Sequence, residues 1–275
     1  MNATPDSFSD GGLALDPNDA VARATAAAAD GADLLDIGGE STRPGSARVG
    51  IEDQIARVAP VIRAIRGAGI DIPISVDTTR APVALEALEA GADAINDVSG
   101  GTEDSEMLAL CAQRETGIIL MHRLRPPNED SYSDQYETPP EYPAGVVEAV
   151  RDDLSSLLAN AARAGVAKHS VVLDPGLGFG KTVKQNLALI RATPRLRSLG
   201  RPLLGGVSRK SFVARAQAQA EARSTNPAPP SDRLEGSLAL SVIQLSLGVR
   251  LFRVHDVRAH RRALDAAFAA MTAEA

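Results

Sequence analysis

One unit recurs along this chain from Asp33 onwards: a short apolar strand, a polar residue at the end of the strand, and a helix rich in Ala and Leu. Strands that alternate with helices predict a parallel sheet whose strands are joined by right-handed crossovers. The predicted strands are residues 34–37, 74–76, 94–95, 117–120, 171–173, 202–205 and 250–254. The predicted helices are residues 17–30, 52–66, 82–89, 105–114, 146–164, 183–193, 208–218, 233–247 and 257–271.

The length of the chain agrees with one α/β barrel. Its 275 residues could form two small domains, but a (β/α)8 barrel occupies roughly 250 residues as a single domain. No domain boundary is recognisable, because strands continue on both sides of every loop. The sequence therefore predicts the α/β class, with one (β/α)8 TIM-barrel domain over residues 1–275.

The predicted barrel lacks most of its first strand. A barrel closes only with its full number of strands, and the opening residues MNATPDSFSDGG resemble the loop that follows a strand. The expectation is that the natural protein begins several residues earlier. The chain as written is then expected to be poorly soluble or weakly active until about 8–12 upstream residues, enough for one strand, are restored.

The composition argues against several classes of protein. A net charge of −6 gives no reason to expect nucleic acid or an anionic membrane as a partner. No signal peptide opens the chain and no apolar run reaches the ~18 residues of a membrane span, so a soluble, cytoplasmic protein is expected. Cys111 is the only cysteine, which excludes internal disulfides and cysteine-based zinc sites, and its apolar surroundings predict a core position.

The stretch VVLDPGLGFGKT at 171–182 combines a buried strand, a carboxylate at its end and a glycine-rich loop. The proline and glycines cannot cheaply continue a strand or begin a helix, so the loop lets a ligand approach the backbone. The stretch is not a P-loop, which needs Gly five residues before Gly180, where the chain has Pro175. Nor is it G-x-G-x-x-G, since position 181 is Lys. A plain βα turn that uses glycine for geometry alone remains the alternative.

Polar side chains follow every predicted strand, and in a (β/α)8 barrel these positions share the face where active sites lie. They are Asn2, Thr4, Asp6 and Ser7 in the first loop, which also holds Phe8, then Asp36 with Glu40, Ser41, Thr42 and Arg43 after two glycines, Asp77, Asn96, Asp97, His122, Asp174, residues 208–210, Arg253 and His255. Arg253 and His255 are two apart in a predicted strand and should point the same way. Any one of these residues alone could simply be a solvent-exposed residue at the beginning of a loop. Together they fit a bicyclic pyrimidinone with an exocyclic amine, held by carboxylates, and an attached phosphate beside cations.

Eight short motifs, in order over the whole chain, resemble those of the dihydropteroate synthases. They are TPDSFSDGG at 4–12, DIGGESTRPG at 36–45, SVDT at 75–78, INDVSGG at 95–101, LMH at 120–122, DPGLGFGKT at 174–182, SRKSF at 208–212 and RVHDV at 253–257. No single motif is specific, but eight in sequence are. The resemblance implies a (β/α)8 barrel, usually a homodimer, that joins 6-hydroxymethyl-7,8-dihydropterin diphosphate to 4-aminobenzoate with Mg²⁺ in folate biosynthesis. It also implies a target of sulfonamides.

The resemblance further implies a role for each matching residue. The pterin would be held by Asp77, Asn96, Asp174 and Lys210. The diphosphate would be bound by Arg253 and His255, with Thr42 contributing. The walls and anchor for 4-aminobenzoate would be Phe8, Arg43, Pro44 and Ser211. Asn2 would help to hold the metal. The residues closest to the chemistry are then Lys210, Arg253, His255 and Asp174.

The implied mechanism is dissociative. The bond to diphosphate breaks early and leaves a cation delocalised into the pterin, which the neutral arylamine then traps. Such a reaction needs stabilisation of the charge on the leaving group, and loops that exclude water. It needs no strong general base.

Two segments depart from the family, and no role is carried over to them. Residues 123–143 are polar and hold five prolines, and residues 217–231 are rich in Ala and Gln and then Pro. Both segments are predicted to be mobile loops. The second could equally be a surface insertion without a role. The Asn2-Ala3-Thr4 sequence, where the family usually has Asn-Val-Thr, is a mild change.

Two other functions share part of this pattern. A pterin-binding methyltransferase on the same barrel would need the carboxylates but not a Lys-Arg-His cluster for diphosphate. A non-catalytic pterin-binding relative should have lost residues such as Lys210 or those at 41–44, which are present. Release of diphosphate separates the synthase from both.

Overall fold

The computed structural model describes Met1, residues 16–221 and residues 229–273. Asn2 and Phe8, to which the sequence assigns roles, therefore lie outside the described residues. The chain divides into two compact units. The first unit is Met1–Leu120 with Leu157–Val171, and the second is Met121–Ser156 with Val172–Ala275.

Strands and helices alternate through the described residues, as the sequence predicts. The strands are β1 (Leu35–Gly38), β2 (Ile74–Asp77), β3 (Ala94–Asp97), β4 (Gly117–Met121), β5 (Val171–Asp174), β6 (Leu204–Gly205) and β7 (Leu251–Phe252). The helices are α1 (Pro17–Ala29), α2 (Ile51–Gly67), α3 (Ala81–Glu89), α4 (Met107–Gln113), α5 (Val146–Arg163), α6 (Val183–Arg191), α7 (Thr193–Arg197), α8 (Ser211–Glu221), α9 (Leu234–Ser246) and α10 (Val257–Thr272).

In the first unit, β1 to β4 pair in sequence order and in parallel, with α2 packed against α1 and α3. The register sets Leu35 opposite Ile74, and Ala94 opposite Gly117. Apolar side chains of the strands and of α2 form the core, because both β-branched strands and the apolar stripe of an amphipathic helix must be buried. These include Ile37, Val58, Ile62, Ile65, Ile74, Val76 and Ile95.

In the second unit, β6 and β7 pair in parallel and Leu173 of β5 bridges to Leu203. The N–H of Arg253 donates to the carbonyl of Gly205 at 3.0 Å, one residue beyond β7. The helices α9 and α10 pack together, and α8 packs on α6 and α9. The pairing keeps the ends of β5, β6 and β7 beside one another.

The strand boundaries differ from prediction at their polar ends. Asp77, Asp97 and Asp174 are the last residues of their strands rather than the first of a loop, because their backbones continue the parallel pairing. The last strand is shorter than the predicted 250–254 and ends at Phe252. The prediction that Arg253 and His255 lie two apart in one strand is therefore wrong, since the strand ends before both of them.

Two helices also differ from prediction. The predicted helix 183–193 is divided, since α6 ends at Arg191 and α7 begins at Thr193 with Pro194 in its first turn, a position where proline costs nothing. The helix predicted over 208–218 begins at Ser211 and continues to Glu221, so the first residues of the segment 217–231, predicted to be a loop, are helical. Arg209 has φ of +59°, a left-handed conformation that a helix cannot contain.

Met1 lies beside β1. Its amino group donates to the carbonyl of Asp36, and its carbonyl accepts from the N–H of Gly38 at 3.1 Å. The N–H of Leu35 donates to Pro73 on the other side of the strand. The predicted absence of a first strand concerns residues before Met1, and it stays a prediction.

Cys111 is buried, with 1% of its surface exposed, which confirms its predicted core position. Burial and, second, the carboxylate of Asp97 raise the pKa of its thiol to about 12. None of the described helices is both long and apolar enough to cross a membrane.

Arg66, near the C-terminus of α2, links this helix to the segments before and after β2. Its guanidinium donates to the carbonyls of Gly91 at 3.0 Å, Ile70 at 2.8 Å and Ile72 at 2.9 Å, and to the carboxylate of Asp93 at 2.5 Å. The planar guanidinium can serve these separate acceptors at once because it carries five N–H donors. It therefore satisfies the backbone at the approach to β2.

Arg66→Ala is expected to lower the free energy of unfolding by about 1–3 kcal/mol, since it strands partly buried carbonyls. Arg63→Ala is the control: its side chain is 57% exposed and stands 4.0 Å from Glu86, so its loss should cost under ~0.5 kcal/mol. Urea denaturation measures both. Equal stabilities of the two variants would contradict this role of Arg66.

Candidate active site

A largely buried polar cluster lies along β1, β2 and β3 in the first unit, with Asp36 and Ser75 early in their strands and Asp77 and Asn96 at the carboxyl ends of theirs. The side-chain amide of Asn96 donates to both carboxylate oxygens of Asp36, at 3.2 and 3.4 Å, and the hydroxyl of Ser75 donates to Asp36 at 2.7 Å. Asp77 and Asn96 are 4% and 3% exposed. Adjacent parallel strands thus bring together the predicted residues Asp77 and Asn96, and Asp36 fixes the orientation of the Asn96 amide.

Asp97 does not join this cluster. Its carboxylate accepts from the N–H and hydroxyl of Ser99, at 2.7 and 2.6 Å, and from the N–H of Gly101 at 2.9 Å. The residue is fully buried. It shapes the turn after β3, which is the ordinary use of an Asp beside glycines.

The loop after β1 is held from within. The hydroxyl of Ser46 lies 2.6 Å from the carbonyls of both Ser41 and Arg43. Thr42 and Pro44 in this loop are half-buried, and Arg43 is exposed. The three predicted residues are therefore neighbours in one short, internally bonded loop of the first unit.

The glycine-rich loop 174–182 has its N–H groups bound by three different elements. Gly176 donates to the carboxylate of Asp174, Gly178 to the side chain of Asn186, and Gly180 to the carboxylate of Asp130, each at 2.7 Å. The three glycines have φ of +64°, +86° and +63°. Residues other than glycine rarely adopt this conformation.

The space around this loop is closed as well. A Cβ on Gly176 would lie 1.8 Å from the carbonyl oxygen of His122, and one on Gly180 would lie 2.5 Å from the Cβ of Leu124. The glycines thus permit a close approach of backbone to backbone, in addition to the turn geometry that the sequence allowed as an alternative.

Lys181 is the residue that sequence reasoning missed. Its side chain is fully buried, and its ammonium contacts the carbonyls of Gly176 at 2.9 Å and Phe179 at 2.8 Å, and Nδ1 of His122 at 2.9 Å. Burial first, and then Lys181, lower the pKa of His122 to about 2, so the ring is neutral and Nδ1 can accept. The only available signal was a lysine inside an otherwise apolar, glycine-rich stretch.

Residues 123–143 dock against the glycine-rich loop, contrary to the expectation of a mobile loop. Asp130 and Ser133 are buried; Asp130 binds Gly180, and Ser133 lies 3.0 Å from the side-chain amide of Asn186. The hydroxyl of Tyr142 donates to the carbonyl of Gly180 at 2.7 Å. These contacts join residues about 40–50 positions apart, which local sequence patterns do not reveal.

Asp174 and Lys210 interact electrostatically in the second unit, where each shifts the pKa of the other. Nζ of Lys210 donates to the carbonyl of Leu177 and lies 4.8 Å from the ring centroid of Phe179. Burial lowers the pKa of Lys210 to about 8, against Asp174, which raises it. Burial also raises the pKa of Asp174, although Lys210 and the N–H of Gly176 oppose that shift. The desolvated pair suits a polar, uncharged heterocycle.

His255 and Arg253 follow β7 in the same unit. The backbone N–H and Nδ1 of His255 both lie 3.1 Å from the hydroxyl of Ser208. Burial, and then the cations Arg209 and Arg253, lower the pKa of His255 to about 4, although part of the residue remains exposed to solvent. Arg209 is itself paired with Asp256 at 2.9 Å. Ser211, also predicted for the site, is half-buried at the start of α8.

Comparisons with known proteins decide the family. The profile described as "Pterin binding enzyme" matches residues 1–255. The chain belongs to the pterin-binding enzyme family. It is 43% identical over 269 residues to a dihydropteroate synthase of Mycobacterium leprae, covering 96% of this chain and 89% of that one. It is 41% identical over 260 residues to one from Synechocystis, covering 94% and 84%.

Solved structures agree. A Xanthomonas albilineans dihydropteroate synthase with 4-aminobenzoic acid has a TM-score of 0.85 at 38% identity, over 99% of this chain and 92% of that one. A Yersinia pestis dihydropteroate synthase with a sulfonamide drug has a TM-score of 0.86 at 36% identity, with the same coverage. These comparisons confirm the (β/α)8 barrel class, the resemblance stated from the motifs, and dihydropteroate synthesis by a transferase as the function.

Gly176→Ala is expected to lower the rate of dihydropteroate formation about 100-fold, because the added Cβ displaces the loop by an ångström or more. Gly200→Ala is a matched control: Gly200 also has positive φ, +72°, but nothing lies within 4 Å of its Cβ position. A fixed-time product assay compares the two, with circular dichroism to check folding. If Gly200→Ala slowed the reaction as much as Gly176→Ala does, backbone strain, rather than collision with His122, would set the requirement for glycine.

Proposed function

We propose that Asp77, Asn96, Asp174 and Lys210 bind the pterin of 6-hydroxymethyl-7,8-dihydropterin diphosphate in the synthesis of 7,8-dihydropteroate. The observation that carries the assignment is the buried carboxylate of Asp174, which has only one oxygen engaged by Gly176 in the described contacts. A carboxylate of this kind pairs with the two adjacent N–H groups of an aminopyrimidinone. Lys210, with its lowered pKa, donates to the ring atoms that accept.

We propose that Arg253 and His255, with Thr42, bind the diphosphate. As the C–O bond breaks, its electron pair leaves with the diphosphate, and the lone pair of the arylamine forms the new C–N bond. The amine proton is then released to solvent. Arg253 stabilises the charge that develops on the leaving oxygen. The diphosphate anion beside His255 raises the pKa of the imidazole and so favours its protonated form.

For 4-aminobenzoate we propose Phe8, Arg43, Pro44 and Ser211. Arg43 supplies the cation that a carboxylate needs, and Pro44 an apolar wall, from the loop that Ser46 holds together. Ser211 offers a hydroxyl at the N-terminus of α8, where an anion is favoured.

We propose that Mg²⁺ assists and that Asn2 is one ligand. Within the described ranges no three His, Cys, Asp or Glu residues are placed to hold a metal. Mg²⁺ fits this arrangement because it is usually bound through few protein ligands together with substrate phosphates and water. It would neutralise charge on the diphosphate.

We also propose a cytoplasmic homodimer of single barrel domains, on the resemblance to the family. Analytical ultracentrifugation at micromolar concentration tests the dimer. A monomer under conditions of full activity would refute it.

Asp174→Asn is expected to abolish pterin binding, because the amide keeps an oxygen for Gly176 but replaces the second acceptor with a donor. Sites built on such pairing discriminate by up to ~10⁴-fold. Calorimetry with the pterin substrate, and release of diphosphate in the presence of 4-aminobenzoate, measure the effect. Asp152→Asn, on a side chain that is 68% exposed, is the control. Product formation by the wild type is required for the function, and unchanged pterin affinity in Asp174→Asn would refute the residue assignment.

His255 is expected to titrate near pH 4 in the free protein, since its pKa is lowered to about 4. Inorganic diphosphate should raise that midpoint, because a nearby anion favours the protonated ring. Binding of diphosphate through this residue should therefore strengthen as the pH falls from 7. NMR of the imidazole protons, assigned with His255→Gln, follows the shift. A midpoint insensitive to diphosphate would place the anion elsewhere.

A further inference from the structure

We propose that Lys181 is a positioning residue for the reaction: its buried ammonium fixes the glycine-rich loop so that Asp174 and Lys210 keep the geometry that the pterin requires. The inference rests on the proposed roles of Asp174 and Lys210. Lys181 itself is fully buried and makes its contacts within the protein.

The three contacts of Lys181 match the donors of an ammonium group. An ammonium carries three N–H donors and no acceptor, and the neighbours are two carbonyls and the neutral ring of His122 at 2.8–2.9 Å. The ammonium is therefore fully bonded away from water. A buried lysine is costly, and its pKa is lowered to about 7, mainly by burial, so its placement needs a gain elsewhere.

One contact leads to Asp174. The carbonyl of Gly176 accepts from Lys181, and the N–H of the same Gly176 donates to the carboxylate of Asp174 at 2.7 Å. His122 adds a second connection, because its ring contacts Lys181 while its N–H donates to the carbonyl of Asp174 at 3.0 Å. Lys181 thus restrains both the side chain and the backbone of Asp174 through single intervening residues.

Another contact leads to Lys210. The carbonyl of Phe179 accepts from Lys181 at 2.8 Å, and the ring of the same Phe179 lies 4.8 Å from Nζ of Lys210. Nζ of Lys210 also donates to Leu177, in the middle of the loop. Movement of the loop would therefore displace Lys210 and Asp174 together.

The carboxylates that act on Lys181 are Asp174, Asp130 and Asp153, and Lys210 acts against them. None of the three carboxylates hydrogen-bonds to its ammonium. The lysine therefore orders backbone carbonyls rather than neutralising one acid, as expected for a residue whose task is geometry.

The test compares Lys181→Met with Lys184→Met, three residues along on an exposed position of α6. Lys181→Met is expected to raise the KM for the pterin substrate and lower kcat, about 100-fold in kcat/KM. Its KM for 4-aminobenzoate should stay within about threefold. Lys184→Met should match the wild type. A variant that loses active protein but keeps both KM values and its kcat per folded molecule would make Lys181 merely structural and overturn the proposal.

A second pair of variants covers the case in which Lys181→Met does not fold. The side-chain oxygen of His122→Asn can accept where Nδ1 does, whereas His122→Leu cannot. His122→Asn should keep pterin affinity within a few-fold, and His122→Leu should lose it as Lys181→Met does. Equal affinities for the two variants would overturn the proposal. If the wild type releases no diphosphate, the proposed function itself fails; if only Lys181 and His122 prove indifferent, the positioning role alone fails.

Discussion

The hydrogen bonds of the glycine-rich loop are the constraint on which the second unit depends. A loop that lies among buried residues must satisfy its peptide groups without water. Here the N–H groups of three glycines are bound by Asp174, Asn186 and Asp130, and carbonyls are bound by Lys181, Lys210 and Tyr142. These side chains restrain the loop to one conformation, whereas glycine alone would allow many.

The same bonds set the electrostatics of the site. Burial raises the pKa of Asp174 and lowers the pKa of Lys210, and both shifts favour the neutral form of the group. Water would compete with the pterin for both groups, so the burial of Asp174 and the partial burial of Lys210 strengthen recognition of a polar heterocycle. Arg253 and His255, which follow β7, have a different setting: they are partly exposed, and His255 lies close to the cations Arg209 and Arg253, which suits a highly charged leaving group.

The first unit contributes by a simpler device. Its polar residues Asp36, Asp77 and Asn96 lie on parallel strands, so the sheet itself holds them, and Asp36 of β1 accepts from the side-chain amide of Asn96 in β3. Residues on strands need little support from loops. This difference explains why the sequence pattern correctly places Asp77 and Asn96 near strand ends, whereas the second-unit loop is held by partners from distant segments that no local pattern shows.

The sequence by itself determined the alternation of strands and helices, the acidic residues at the strand ends, and the family. These follow from local periodicity and short motifs, which the chain carries whatever its distant contacts. Only the tertiary structure decided that Lys181 is buried, that residues 123–143 dock through Asp130 and Tyr142, and that β7 ends before Arg253. Those outcomes depend on groups tens of residues apart, and on the demand that every buried polar atom find a partner. No local pattern encodes that demand.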